Sequence, residues 1–371
     1  MMKVHRRSVS ALGLLASAIL FAGSATAQTD GLPGCREAST PFMTMGVAGK
    51  DFFAPYNGAP YGDYFATFGL KNLSRQGEMV MESAGSLYYS PDEGCTWDLF
   101  YTLDGSEPWP LWITVAPGGH AYAFSLNNST LLALRNIGGG MEATSLKSPV
   151  MEIMGLGVDP TDPLHVRIGD KGGQMHESFD GGVVWNKVGV PAQVNGYANR
   201  MTFNEADFDH VMYMANRDGA FVTFDGGATW APSEGLTSTD GPRNAFNAVF
   251  SPVDSDLVWC MSIDLDEADG GHPSGGKHLY ASRDGGLSFE PRVDNGNGIV
   301  ITNGPELTAH PRDRRKVAWV ASNRYTGLDV YELNGVTGVV SISHNDFLAG
   351  RCIEYYLPNP ALMYIGLETK F

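Results

Sequence analysis

The sequence predicts an all-β fold: a single β-propeller of about seven four-stranded blades, built on Asp-Gly hairpins. Three observations carry this prediction. An eight-residue motif recurs as SPDEGCTW from Ser90, SFDGGVVW from Ser178, TFDGGATW from Thr223 and SRDGGLSF from Ser282. A second motif recurs between the hairpins: an apolar strand, a turn with Pro or Asp, then an alternating strand. It reads VDPTDPLHVRIG from Val158, FNEADFDHVMYM from Phe203, FSPVDSDLVWCM from Phe250 and AHPRDRRKVAWV from Ala309. Glycine is abundant, at 46 of 371 residues, and segments of helical period are scarce. A unit of roughly 40 to 50 residues with four short strands cannot bury its own faces and must stack on copies of itself, as propeller blades do.

The elements follow in chain order. Residues 1–27 read as a secretory leader: Lys3, Arg6 and Arg7, then the apolar run ALGLLASAILFAG, then Ala25-Thr26-Ala27 as a small-residue cleavage site. The apolar run is too short for a bilayer span. No Cys follows the cleavage site, so no lipid anchor is indicated, and the Arg6-Arg7 pair leaves twin-arginine export open beside the general route. The propeller domain is assigned to 28–371, exported to the periplasm or beyond the cell. Losing three positive charges with the leader takes the net charge from −16 to −19. Such a surface repels nucleic acid and anionic lipid, and no membrane insertion is expected.

The hairpins set the blade spacing. Asp92 to Asp180 is 88 residues, Asp180 to Asp225 is 45, and Asp225 to Asp284 is 59. The first step is close to twice the second, so a degenerate hairpin is expected between them, at SLNNSTLL from Ser125. The strand-turn motif steps by 45, 47, 59 and 47 residues to its last copy, YLPNPALMYIG from Tyr356, with a worn copy, VAPGGHAYAF, at Val115. The 344 residues after the leader, at about 46 per blade, give about seven blades, with six or eight as alternatives. The last repeat is short, so the segment after Gln28 is expected to supply its missing strand. That would put Cys35 beside Cys352 as the preferred disulfide; free thiols are the alternative, and Cys95 and Cys260 fall in separated blades. No CxxC occurs.

The hairpins resemble the Asp-box, S/T-x-D-x-G-x-T-W, or BNR repeat, of sialidases, sortilin-type receptors, xyloglucan hydrolases and a photosystem assembly factor. The matching residues are Asp92, Gly94 and Trp97; Asp180, Gly182 and Trp185; Asp225, Gly227 and Trp230; and Asp284, Gly286 and Phe289. Val184 replaces the usual Thr, and Ser288-Phe289 replaces Thr-Trp. The resemblance covers about 85–370 and implies that the boxes lie on the rim, away from any active centre. The residue types agree: Asp accepts backbone N–H groups, Gly takes angles others avoid, and Trp covers the turn. A sialidase would also need an Arg-Ile-Pro motif and an Arg triad. The motif is absent, and Arg200, Arg243, Arg324 and Arg351 form no assignable triad.

Candidate site residues come from the innermost strands, which line a propeller's channel. Three positions before each turn motif stand Trp112, Gly155, Arg200, Asn247, Glu306 and Ile353; one before stand Thr114, Gly157, Thr202, Val249, Thr308 and Tyr355. Both sets are expected to face the channel, with Glu354 pointing between blades. Arg200, Asn247 and Glu306 form the candidate ligand-binding arc, with a plain polar lining as the competing reading. No catalytic residue is assigned. A xyloglucanase-like hydrolase would need two facing carboxylates about 5 to 10 Å apart, for which Glu306 with Asp63 or Asp104 is the available choice.

The loop DLDEADGGHPSGGKH, 264–278, explains the 59-residue step. Asp264, Asp266, Glu267 and Asp269 offer oxygens to Ca²⁺, but the EF-hand pattern fails at Ala268 and Asp269, so a solvated loop is favoured and no cofactor is expected. His272 and His278 lack further zinc ligands. The reading is an exported, non-catalytic scaffold for a protein or carbohydrate ligand, of open oligomeric state, with a sialidase-like or xyloglucanase-like glycoside hydrolase as the alternative.

Overall fold

The computed structural model describes residues 46–47, 50–53, 67, 69–73, 77–83, 85–94, 96–104, 110–126, 128–192, 198–237, 243–323, 327–345, 349–358, 360 and 362–368, all within one compact unit, Leu32–Phe371. The expected leader, Asp63, Cys35, Cys95 and Arg324 lie outside the described residues.

Six sheets each hold four consecutive antiparallel strands. They span 70–102, 112–145, 153–188, 198–237, 243–294 and 307–345, and are numbered blades I to VI. Their first strands are Leu70–Asn72, Trp112–Ala116, Ile153–Asp159, Ala198–Phe203, Arg243–Ser251 and Leu307–Ala309, each touching the next. Ala349–Tyr355 touches both Leu307–Ala309 and Leu70–Asn72, so the ring closes.

The closing sheet is of another make. Ala349–Tyr355 pairs antiparallel with Leu362–Glu368. The free edge of Leu362–Glu368 takes Lys50–Phe53 in parallel, and Gly46–Val47 pairs antiparallel beyond it. The expectation of about seven four-stranded blades is therefore corrected to six blades of four antiparallel strands. The C-terminal repeat has only two strands, and the N-terminal segment completes it by running alongside its neighbour. An edge left open there would present a row of unpaired N–H and C=O groups.

The four Asp-Gly hairpins join the third and fourth strands of blades I, III, IV and V. In each, the Ser or Thr hydroxyl donates to the Asp two residues on and accepts the N–H of the Gly four residues on, at 2.7–2.9 Å. The Asp Oδ1 accepts the N–H four residues on: Thr96, Val184, Thr229 or Ser288. Gly94, Gly182, Gly227 and Gly286 have φ of 84°, 96°, 85° and 99°, which side-chain-bearing residues resist. Trp97 and Phe289 are buried over their turns, while Trp185 and Trp230 are half-buried.

The degenerate hairpin needs correction. SLNNSTLL lies between His120–Phe124 and Leu131–Asn136, the second and third strands of blade II. The equivalent turn is NIGGGM, where Asn136 Oδ1 accepts the Gly138 N–H at 2.8 Å. Blade VI does the same with Asn334 and Val336. An Asn side chain closes these turns, so the Asp-Gly pattern is missing from both.

The core lies between blades. Met212, Met214 and Val222 of blade IV pack on Val258, Cys260 and Tyr280 of blade V; Trp259 and Met261 of blade V pack on Trp319 and Tyr331 of blade VI. Each such side chain contributes about 1.5–3 kcal/mol when fully buried. Gly157 permits one close approach, since a Cβ there would lie 2.3 Å from the Phe203 ring of the next blade. Cys260 and Cys352 are free, buried thiols, and the Cys352 thiol donates to Thr67 O at 3.4 Å. Cys35, the partner expected for Cys352, lies outside the described residues. Among the described residues, no helix is long and apolar enough to cross a membrane.

Candidate functional site

The channel positions named from the sequence do meet, but they meet each other. Arg200 lies on the first strand of blade IV, Glu306 just before that of blade VI, and Trp112 on that of blade II. The Arg200 guanidinium grips Glu306 with both terminal nitrogens, at 2.9 and 3.2 Å. Trp112 Nε1–H donates to the same carboxylate at 3.0 Å, and the guanidinium carbon lies 5.5 Å from the Trp112 ring centre. Three non-adjacent blades are thereby clasped across the channel. Asn247, the third member of the expected arc, turns instead to Pro305 O at 2.9 Å and ties blade V to the approach of blade VI.

The side chains of Arg200 and Glu306 are 14% and 23% exposed. Burial opposes the Glu306 charge, but Arg200 and the Trp112 N–H outweigh it and hold the carboxyl below its usual range. A two-pronged Arg–carboxylate pair of this kind is strong and geometrically fixed.

A second pair lies beside it. Lys71 Nζ sits 2.8 Å from Glu354 Oε2, and Asn72 Nδ2 donates to Tyr355 O. Burial disfavours the Lys71 ammonium, yet Glu354, then Glu205, raise its pKa overall. Burial dominates at Glu354 and lifts its carboxyl upward, against Lys71 and Asn72.

The sequence reading missed this pair for two reasons. Blade I carries no legible copy of the turn motif, so Lys71 had no alignment. The last copy of the motif begins at Tyr355, one residue before the expected Tyr356. Tyr355 pairs with Met363 eight residues on, as Phe203 pairs with Val211 and Ala309 with Val317. Glu354 is therefore level with Thr202 and Thr308 in the channel wall, and Cys352, not Ile353, is level with Arg200. A register slip of one residue exchanges faces.

The inserted loop is pinned to its blade. Asp264 caps a short helix, Leu265–Asp269, by accepting from Asp266 and Glu267 N–H, and pairs with Arg243 at 2.9 Å. His278 is buried between two carboxylates, with Nε2 2.7 Å from Glu267 and Nδ1 2.8 Å from Asp294. The oxygens of Asp264 considered for calcium thus serve Arg243 and the helix cap. Among the described residues, no group of three or more His, Cys, Asp or Glu is arranged to hold a metal ion.

The chain is 34% identical over 308 residues to the dispase autolysis-inducing protein of Streptomyces mobaraensis, an alignment covering 81% of this chain and 80% of that protein. The chain belongs to the dispase autolysis-inducing protein family. No family profile matches it. Among solved structures it resembles a GH74 enzyme of Niastella koreensis, with a TM-score of 0.58 and 16% identity over 85% of this chain. It also resembles an ancestral GH74 enzyme, with a TM-score of 0.52 and 15% identity over 84% of this chain. The chain spans 52% and 40% of those two proteins, and at such identities the likeness shows the β-propeller fold.

Proposed function

We propose that the mature chain is an exported, non-catalytic binding protein whose partner is a protein: a secreted protease that it drives toward self-digestion. The 34% identity to a protein named for inducing dispase autolysis carries this reading. The sequence of residues 1–27 supports export, to the periplasm or beyond the cell. The repeated hairpin hydrogen bonds support the finer assignment to Asp-box propellers, with the boxes as fasteners of the blades.

The channel clasp favours binding over glycoside hydrolysis. A two-carboxylate hydrolase needs one acid held protonated and a second carboxylate facing it across a cleft. Glu306 is instead gripped by Arg200 and Trp112, and its pKa is depressed. The test is direct. Dispase is incubated with substoichiometric purified chain, and residual activity and fragments are followed in time. Faster fragmentation than dispase alone, at unchanged initial activity on a peptide substrate, is the expected result. Fragmentation at the same rate as dispase alone would sink the reading. Xyloglucan incubated with the chain is expected to release no reducing sugar.

A further inference from the structure

A cavity of about 250 Å³ opens between the rims of blades V and VI. Four guanidinium groups line it: Arg283, Arg292, Arg314 and Arg315. This is a local reversal on a chain of net charge −16. Two lining carboxylates, Asp254 and Asp256, stand against the four. Asp254 is engaged by Arg314 at 2.8 Å. Arg315 and Arg292 are steadied by Asp313 and Glu290, each at 2.8 Å. Arg283 has no hydrogen-bond or ion-pair partner among the described residues.

Arg283 also breaks a pattern. It occupies the second position of its hairpin, where the other three carry Pro91, Phe179 and Phe224. Phe179 and Phe224 stack on His165 and His210, both with ring centres 4.4 Å apart. At this junction a cation stands where its neighbours put an apolar plate.

The floor of the cavity is apolar, with Leu257, Trp259 and Ala281. Trp259 is 2% exposed, and its indole Nε1–H has no hydrogen-bond partner. A buried donor left in this state is destabilising, and an acceptor carried by a ligand would offset the loss. Gly335 lies close against the Trp259 ring, where a Cβ would come within 2.8 Å.

We propose that this cavity is a binding site for a carboxylate attached to an apolar body, and that its natural occupant is the C-terminal residue of a protein partner. The free guanidinium of Arg283 takes the carboxylate as a fork, and the apolar side chain lies on Val336, the exposed apolar residue of the lining, above Trp259. The choice of a polypeptide end as the source rests on the protein-partner reading above; the carboxylate site itself does not. Self-digestion of a protease creates new ends of this chemistry.

The probe is N-acetyl-leucine, with N-acetyl-leucinamide and inorganic phosphate beside it. The readout is the Trp259 indole N–H resonance of the full mature chain, assigned with Trp259→Phe. N-acetyl-leucine is expected to shift it saturably, the amide and phosphate to do so at least about tenfold more weakly, and Arg283→Glu to weaken N-acetyl-leucine by about tenfold or more, the loss of one charged pair. A melting curve confirms that Arg283→Glu keeps the fold. No saturable shift, or equal shifts from the amide or from phosphate, would overturn the site. The dispase assay reads the other proposal separately: failure to stimulate fragmentation, with N-acetyl-leucine binding intact, counts against the protease partner and leaves the cavity assignment standing.

Discussion

At the residue scale, the clearest feature is how completely Glu306 is spoken for. It accepts from Arg200 twice and from Trp112 once. Removing one partner of such a pair leaves the other partly desolvated and uncompensated, so Arg200→Ala is expected to cost about 2–3 kcal/mol, below the fully buried range because both groups keep some water. Urea unfolding measures it. Arg200→Met with Glu306→Leu should cost less than either single change if the pair is a structural clasp. Its depressed pKa means Glu306 contributes stability above the unfolded carboxyl value and loses it as pH falls through the folded one, and the double variant should lack that acid sensitivity. The thiols of Cys260 and Cys352 are raised by burial, so both are expected to resist a thiol reagent until the chain unfolds.

At the scale of the element, the four hairpins form an internal experiment. Thr96, Thr229 and Ser288 each donate a hydroxyl to the second oxygen of their Asp. Val184 has no hydroxyl to give and is left exposed. Val184→Thr is expected to stabilise the protein by about 0.5–1 kcal/mol, the net worth of one hydrogen bond, and a melting curve decides it. Backbone N–H donors and the neighbouring hydroxyls hold Asp180 and Asp225 below their usual pKa, and at Asp284 they overcome an opposing burial effect. These groups therefore stabilise above the ordinary carboxylate pKa, and the contribution is lost as pH falls through the lowered values. The 264–276 loop depends on a different residue. His278→Leu removes both of its carboxylate contacts, and hydrogen exchange should then quicken in Leu265–Asp269 while the rest of blade V keeps its protection.

At the scale of the whole molecule, two devices hold the ring. One is closure by Lys50–Phe53 on Leu362–Glu368. A chain beginning after Phe53 would leave that edge open, and is expected to melt lower and to self-associate on sizing columns. The other is the latch between blades IV and V: His210 Nε2–H donates to Gly285 O at 2.6 Å while Asn204 donates to Nδ1 at 3.2 Å. Burial lowers the His210 pKa, so the neutral ring is the stable one. Its contribution is complete above the ordinary histidine value and falls away as pH drops below it. His210→Gln should flatten the fall in stability between about pH 7 and 5.

The repeating unit is legible in the sequence alone, because a hairpin that needs Asp to accept backbone N–H groups and Gly to take a positive φ leaves those letters at every blade that uses it. The sequence also placed Arg200, Asn247 and Glu306 on neighbouring inner strands, since one turn motif fixes which residues of a strand face the channel. It missed the Asn-closed turns of blades II and VI, where another residue does the same work. The rest depends on how the blades meet in space. Ring closure brings Trp112, Arg200 and Glu306 together across the channel, from blades 88 and 106 residues apart in sequence. One residue of register moves Glu354 from a blade interface into the channel wall beside Lys71. The parallel docking of Lys50–Phe53, and the gathering of four arginines around Trp259, depend on which rims become neighbours, and that distance in space has no counterpart in local spacing.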